Sequence, residues 1–378
     1  MPAELRITRF TPDIKSAVAL PSAACLGIRN PKVDEMKSVA VITGWGGCLP
    51  PREISNEFLS RSLDTSPDWI TSRTGISFRR RAEADISTSD LAVGAGLAAL
   101  ESSGVLRADL VLLATTTPDR RCPATAPEVA WRLGLGEIPA LDVSAVCSGF
   151  VYGLALASSL IRSGSCRRIL LVGAETYSRI IDPGDRDTAV IFGDGAGAVV
   201  IRDGDPDEAG ALLATDLGSD GSGGELICIP DGGSRRPWDP TDPGQKQYFK
   251  MQGKKVYSLA IRHLVESSQR VMARSCWAAD DVEAFVGHQA NQRILDAVAE
   301  RIGIVSSNCF GNIAHVGNTA AASIPLALAD IASRRQVAAG SRTLLSAFGG
   351  GLTWGSATLT WPSALAVHRL PARAGSRP

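Results

Sequence analysis

Two rhythms of apolar positions alternate along the chain. Short β-branched or leucine-rich runs occur at Val39–Thr43, Leu110–Ala114, Ile169–Gly173, Gly197–Ile201, Ala284–Gly287, Thr343–Ala347 and Ala357–Thr360. Such runs suit strands buried on both faces. Between them lie alanine-rich segments with helical spacing, at Ser87–Ser103, Gly149–Ser163, Lys255–Ser275, Gln292–Ile302 and Ala321–Ser333. This alternation predicts an α/β fold around a largely buried sheet.

The pattern also repeats itself. RLGLGEIPALDV, CSGFVYGLALA and RRILLVGA follow one another early; RIGIVSSNCFGNIAHVGNTAAASIPLALA and SRTLLSAFG follow one another late. DLVLLATTT and VEAFVGHQA precede the two series. Gly134 matches Gly303, Leu154 matches Leu326, Leu112 matches Phe285 and Leu170 matches Leu344, at an offset of about 170 residues. That period is too long for a solenoid and fits two fused copies of one α/β half. Residues 1–36 read as a loosely ordered N-terminal extension. Residues 37–205 form the first half, 206–362 the second, and 363–378 a flexible, dispensable tail.

Composition narrows the function. Of 378 residues 44% are apolar, enough for a large core, and Lys plus Arg equals Asp plus Glu at 39 each. A net charge of zero gives no whole-chain reason to expect nucleic acid or an anionic membrane as partner. Eight cysteines are scattered without C-x-x-C pairs or zinc-ligand spacing, so no metal is expected and a reducing cytoplasm is. The apolar run at residues 17–28 is broken by Pro21 and preceded by mixed charges, unlike a secretory signal.

One cysteine stands apart by its surroundings. In DVSAVCSGFVYGLALASSLI, Cys147 sits where a strand-like run turns into a helical one. A thiol at a helix N-terminus meets unpaired N–H groups and the positive dipole end, which favour the thiolate. A buried structural role is the commoner fate of a cysteine and fits the other seven better. Asn318, in HVGNTAAASIPLAL, lies at nearly the equivalent corner of the second copy; alone, it would read as a helix cap. His288, in AFVGHQANQRI, follows an apolar strand, and parallel strands present functional groups at their C-terminal ends. His315 and His368 fit loop and tail positions. SAFGGGLTWGSATLTW places Gly349, Gly350 and Gly351 after a strand, where N–H groups can approach a ligand closely even if the segment is also a hairpin turn.

From Lys37 to Pro362 the sequence resembles β-ketoacyl-acyl-carrier-protein synthase III. The matching strings, in the family's order, are DWITSRTGI, ATTTP, DVSAVCSGF, DRDTAVIFGDGAGA, GHQANQRI, GNTAAASIPLAL and FGGGLTWGSA. The resemblance implies a homodimeric thiolase fold, two duplicated halves in a five-layered α-β-α-β-α sandwich. It implies that Cys147 takes an acyl group from acyl-CoA. His288 and Asn318 would then hold malonyl-acyl-carrier-protein during decarboxylative condensation, without a cofactor. Cys147 and Gly350 N–H groups would form the oxyanion hole. Trp69, Arg73, Arg186, Gly253 and Asn291 would bind CoA, and Cys122, Tyr177 and Phe192 would shape the acyl pocket. Arg293, Lys254 and Lys255 would face the carrier protein. Cys122 stands where some members place a phenylalanine that reaches into the partner subunit, which suggests room for acyl groups longer than acetyl. Ser258 and Glu300 replace lysines that members often direct at the carrier protein.

Two other classes remain open from the residues alone. A non-condensing acyltransferase of the same fold would use Cys147 but not need Asn318 as second donor. A cysteine hydrolase would share the small-x-nucleophile-x-small shape at Ala145–Gly149, yet would not explain the duplication.

Overall fold

The structure is a computed structural model that describes residues 38–242 and 244–373; the expected N-terminal extension lies outside those residues. Strands of the two main sheets are numbered here β1 (Val39–Cys48), β2 (Leu110–Ala114), β3 (Ala140–Val143), β4 (Arg168–Thr176), β5 (Asp194–Gly204), β6 (Leu212–Ser219), β7 (Ala284–Gly287), β8 (Arg342–Gly349), β9 (Thr353–Thr360) and β10 (Val367–Arg369). The principal helices are α1 (Pro67–Thr74), α2 (Thr88–Ser103), α3 (Ala126–Arg132), α4 (Gly149–Arg162), α5 (Gly253–Arg274), α6 (Gln292–Ile302) and α7 (Ser323–Ser333).

Helix α2 begins and ends where local chemistry stops it. Ser87 and Asp90 form a reciprocal capping box at the start of α2, and Gly104 closes it in the left-handed conformation. Alternation within strands then directs side chains to two cores. In β4, Leu171 joins the core between the sheets, with Leu112, Phe150, Leu154, Leu328 and Leu345. Leu170 and Val172 face the other way, onto Leu91 and Leu100 of α2. A third core packs Val256 and Leu264 of α5 and Val298 of α6 on Phe285 and Leu344.

These cores make five layers. Helices α2 and α3 cover a sheet of order β10-β1-β5-β4-β2-β3; α4 and α7 lie between the sheets; α5 and α6 cover a sheet of order β7-β8-β9-β6. The duplication is visible in the order itself. β1-β5-β4-β2-β3 is repeated as β6-β9-β8-β7, with the edge strand reduced to a single bridge between Phe285 and Cys309. Register corrects two matches read from the sequence: Val111 pairs with Leu170 as Phe285 pairs with Leu344, so Val111, not Leu112, is the counterpart of Phe285, and the same offset matches Leu154 with Leu328, not Leu326. The halves form one compact unit rather than two domains.

The expectation of a flexible tail after Pro362 fails for the described residues. β10 pairs parallel to β1. Trp45 Nε1 donates to Ala364 O at 2.9 Å, Ser102 Oγ to Leu365 O at 2.6 Å, and Ala372 N to Asp90 O at 3.1 Å. Arg132, in a buried 2.7 Å ion pair with Asp90, also donates to Ala372 O. The segment covers an edge of the first sheet, which explains its order. A chain ending at Pro362 is expected to melt at least about 5 °C lower, by calorimetry or circular dichroism, because each lost hydrogen bond is worth about 1 kcal/mol.

Candidate active site

The turn after β3 forces a side chain into an unusual position. Ser144 and Ala145 lead into a single 3-10 turn, Val146–Ser148, that runs straight into α4. Val146 has φ +48°, a left-handed conformation that a β-branched residue adopts only under constraint. The constraint comes from the β8–β9 hairpin of the other sheet. Gly349 lies so close that a Cβ there would sit 2.8 Å from the Cys147 nitrogen. Ser148 Oγ lies 2.8 Å from Ala145 O and 2.6 Å from Thr353 Oγ1, which donates to Gly350 O at 3.0 Å. The glycine run is thus both a hairpin turn and a clamp on Cys147.

The second half repeats the turn without the sulfur. Ala320–Ala322 is a 3-10 turn ahead of α7, and Ala320 has φ +45°. By the register offset Ala321 is the counterpart of Cys147, so Asn318 lies three residues before the matching position. Asn318 Oδ1 accepts the Ala320 N–H at 2.9 Å. With the oxygen so engaged, the side-chain NH2 is the group left to donate.

β7 delivers His288, whose backbone N–H donates to Ser346 O at 2.8 Å. His288 Nδ1 is 2.6 Å from Ser323 Oγ, at the first position of α7. The Gln289 N–H, which can only donate, lies 3.4 Å from the same oxygen. The Ser323 oxygen can accept that N–H and still donate its own proton to Nδ1; we assign this arrangement, which leaves the ring proton on Nε2. All three are tied to the segment that opens α7: Asn318 caps the Ala320 turn, Ser323 follows it and contacts His288 Nδ1, and Ala320 packs with Cys147, Tyr177, Val190 and Phe192 in one buried cluster.

Burial controls the charge states. It pushes the Cys147 thiol well above its ordinary range, and the nearby Glu175 charge adds to the effect. Removal from water thus opposes the thiolate expected at a helix N-terminus and favours the thiol. Burial also pushes His288 down to about 3, so its imidazole is neutral at physiological pH. Glu175 accepts from Thr116 N at 3.0 and 3.1 Å, Thr117 Oγ1 at 2.6 Å and the Ala321 N–H, yet burial still raises it to about 7. Neutral donors held by a segment packed on a buried thiol suit a reaction that develops negative charge on a carbonyl oxygen.

Two family models match the chain: 3-oxoacyl-[acyl-carrier-protein] synthase III over residues 141–221, and the C-terminal part of the same family over 272–361. The β-ketoacyl-[acyl-carrier-protein] synthase III 2 of Streptomyces coelicolor is 55% identical over 87% of this chain and 96% of its own length. The chain belongs to the β-ketoacyl-acyl-carrier-protein synthase III family. The crystal structure of 3-oxoacyl-(acyl carrier protein) synthase III from Pseudomonas aeruginosa matches with a TM-score of 0.82 at 48% identity, covering 86% of this chain and 99% of that one. The priming β-ketosynthase from the R1128 polyketide pathway matches with a TM-score of 0.81 at 32% identity, covering 86% and 96%. The layered architecture is accordingly the thiolase fold.

The positions that synthase III resemblance singles out fall into three places. Trp69 of α1 lies under the Arg186 guanidinium, 4.7 Å from ring centroid to carbon, with Arg73 at 5.9 Å. Asn291 caps α6 and its Nδ2 donates to Arg73 O at 3.0 Å, tying that helix to α1. Gly253 opens α5, and nothing lies within 4 Å of where its Cβ would be. Arg293, Lys254 and Lys255 are exposed on the same two helices. Tyr177 and Phe192 are stacked at 4.5 Å in the Cys147 cluster. Cys122 is not brought to the site within one chain; it is exposed on the loop between β2 and α3. Sequence reasoning missed Ser323 and Glu175. A charged residue inside the apolar run LLVGAETY was a signal for the second; Ser323 carried none.

The Gly349 contact yields a test. A G349A variant must displace the Cys147 turn, since the Cβ meets backbone rather than a flexible side chain. Turnover is expected to fall by about 10²-fold, as misplacing a reacting group by an ångström costs that much, with the circular dichroism spectrum unchanged.

Proposed function

We propose that the protein catalyses a two-step condensation: an acyl group moves from acyl-CoA to Cys147, and then joins a two-carbon unit from malonyl-acyl-carrier-protein. One observation supports this most: a buried thiol packed against a turn that also fixes an amide donor and a neutral imidazole. In the first step the sulfur attacks the thioester carbon, the CoA sulfur departs, and the thiol proton ends on CoA. The Cys147 and Gly350 N–H groups hold the oxyanion. In the second step the malonyl carbon–carbon bond breaks and carbon dioxide leaves. The electron pair passes onto the remaining thioester as an enolate, held by His288 Nε2–H and Asn318 Nδ2–H. The enolate carbon attacks the acyl carbon, Cys147 leaves as thiolate and takes a proton from solvent, and a 3-oxoacyl thioester results. No cofactor is called on.

CoA binds through Trp69, Arg73 and Arg186, with Gly253 and Asn291 along the approach. The Trp69–Arg186 stack suits an adenine ring, which would part the guanidinium from the indole and from Asp64, its partner at 3.4 Å. Arg293, Lys254 and Lys255 meet the acidic carrier protein. The enzyme works as a homodimer. In support, β3 is an edge strand with Leu141 exposed, and the loop before Cys122 borders a cavity of about 950 Å³ lined also by Thr176 and Ile180. A twofold partner would fill it with its own copy of that loop. The cytoplasm is the setting, consistent with the free cysteines; among the described residues no helix is long and apolar enough to cross a membrane. The product begins a fatty acid or a polyketide chain.

The test supplies acyl-CoA and malonyl-acyl-carrier-protein and follows acyl-protein, carbon dioxide and 3-oxoacyl product. C147A is expected to abolish acyl labelling. N318A should keep labelling while carbon dioxide release falls by about 10²-fold or more, the usual effect of removing one such donor. Undiminished release in N318A would refute the role given to that amide.

A further inference from the structure

Tyr177 follows β4 directly and opens a 3-10 turn, Tyr177–Arg179. Its ring is fully buried, stacked on Phe192 at 4.5 Å and set edge-on to Phe249 at 5.4 Å. It shares a cluster with Cys147, Ile181 and Val190. Yet its hydroxyl has no hydrogen-bond partner among the described residues. Buried hydroxyls are nearly always paired, and one that is not is costly.

The polar groups beside it are already committed. The Glu175 carboxyl takes Thr116 N–H, Thr117 O–H and Ala321 N–H. Thr176 Oγ1 is 2.9 Å from Thr88 Oγ1, and Thr176 N donates to Thr117 Oγ1. The Tyr177 ring nevertheless packs in the same buried cluster as Cys147, and burial raises its phenol well above the ordinary value. A group attached to the Cys147 sulfur therefore enters the cluster that holds an unpaired donor. The remaining wall, Phe192, Phe249, Ile181 and Val190, offers an oxygen atom no donor side chain.

We propose that Tyr177 determines acyl specificity by donating a hydrogen bond to an oxygen on the acyl group carried by Cys147, so that the preferred acyl-CoA is a hydroxyacyl thioester with its hydroxyl β to the thioester carbon. This rests on the reading above that Cys147 is the acyl carrier. A plain alkyl chain leaves the phenol dry and unpaired; a hydroxylated chain pairs it and is itself paired. Sites built to bond a substrate oxygen discriminate strongly against the analogue that lacks it.

The experiment compares the rates at which 3-hydroxybutyryl-CoA (each enantiomer) and butyryl-CoA acylate the full-length protein, followed by intact mass with peptide mapping of Cys147. In the wild type one hydroxyacyl enantiomer is expected to react about tenfold faster than butyryl. Y177F keeps the ring stack and removes only the hydroxyl. It should reverse the order, because a hydroxyl entering an apolar pocket without a partner is penalised. Faster butyryl transfer in the wild type overturns the proposal, as does a hydroxyacyl preference that survives in Y177F. Labelling of Cys147 by none of the thioesters would instead overturn the acyl-carrier reading itself, and this one with it.

Discussion

Two left-handed turns, packed together between the sheets, set the geometry on which the rest depends. Val146 and Ala320 occupy the same point of the two halves and hold nearly the same φ, +48° and +45°. Neither residue has the freedom of glycine, so each turn costs about 1–3 kcal/mol of backbone strain that the surrounding packing must offset. The Gly349–Thr353 hairpin tip presses on the first turn, and the Asn318 and Glu175 side chains hold N–H groups of the second. Duplication supplied a symmetric frame; the asymmetry of what stands on it, sulfur on one side and amide with imidazole on the other, supplies the chemistry.

Enclosure between sheets has an electrostatic consequence. Desolvation favours the neutral form of each titratable group at the centre: the Cys147 thiol, the His288 imidazole and the Tyr177 phenol, with Glu175 at about 7. A resting thiol is less exposed to oxidation and to stray electrophiles than a thiolate. For His288 the folded value of about 3 lies below the ordinary 6.5, so unfolded chains bind a proton that folded ones refuse between those values. Its contribution to stability is present above pH 6.5 and is lost as pH falls toward 3. Glu175 acts in the opposite sense: its folded value exceeds the ordinary 4.5, so its contribution is present at low pH and is lost as pH rises through about 7.

Much of this was legible in the sequence, for stated reasons. β2, β7 and α6 have the predicted boundaries because they are continuous apolar runs or strongly amphipathic segments closed by clear caps. β6 escaped notice because it is half-exposed and mixes Thr, Asp and Gly with its leucines. β10 escaped because a three-residue strand among Ala, Arg and Pro has no pattern of its own; its order comes from β1 and Asp90, remote in sequence. The placement of Cys147, His288 and Asn318 at element junctions was readable. The charge states of Cys147 and His288 were not, because burial is a property of the assembled halves.

The central claim is that His288 sits in this enclosure as a neutral donor, with Ser323 holding Nδ1 and the proton on Nε2. The direct measurement is nitrogen NMR of histidine-labelled protein, assigning the resonances absent from H288A and following them from about pH 5 to 8. The account predicts an unchanging neutral pattern with hydrogen on Nε2 throughout. Titration with a midpoint near the ordinary 6.5, or a proton found on Nδ1, would contradict it.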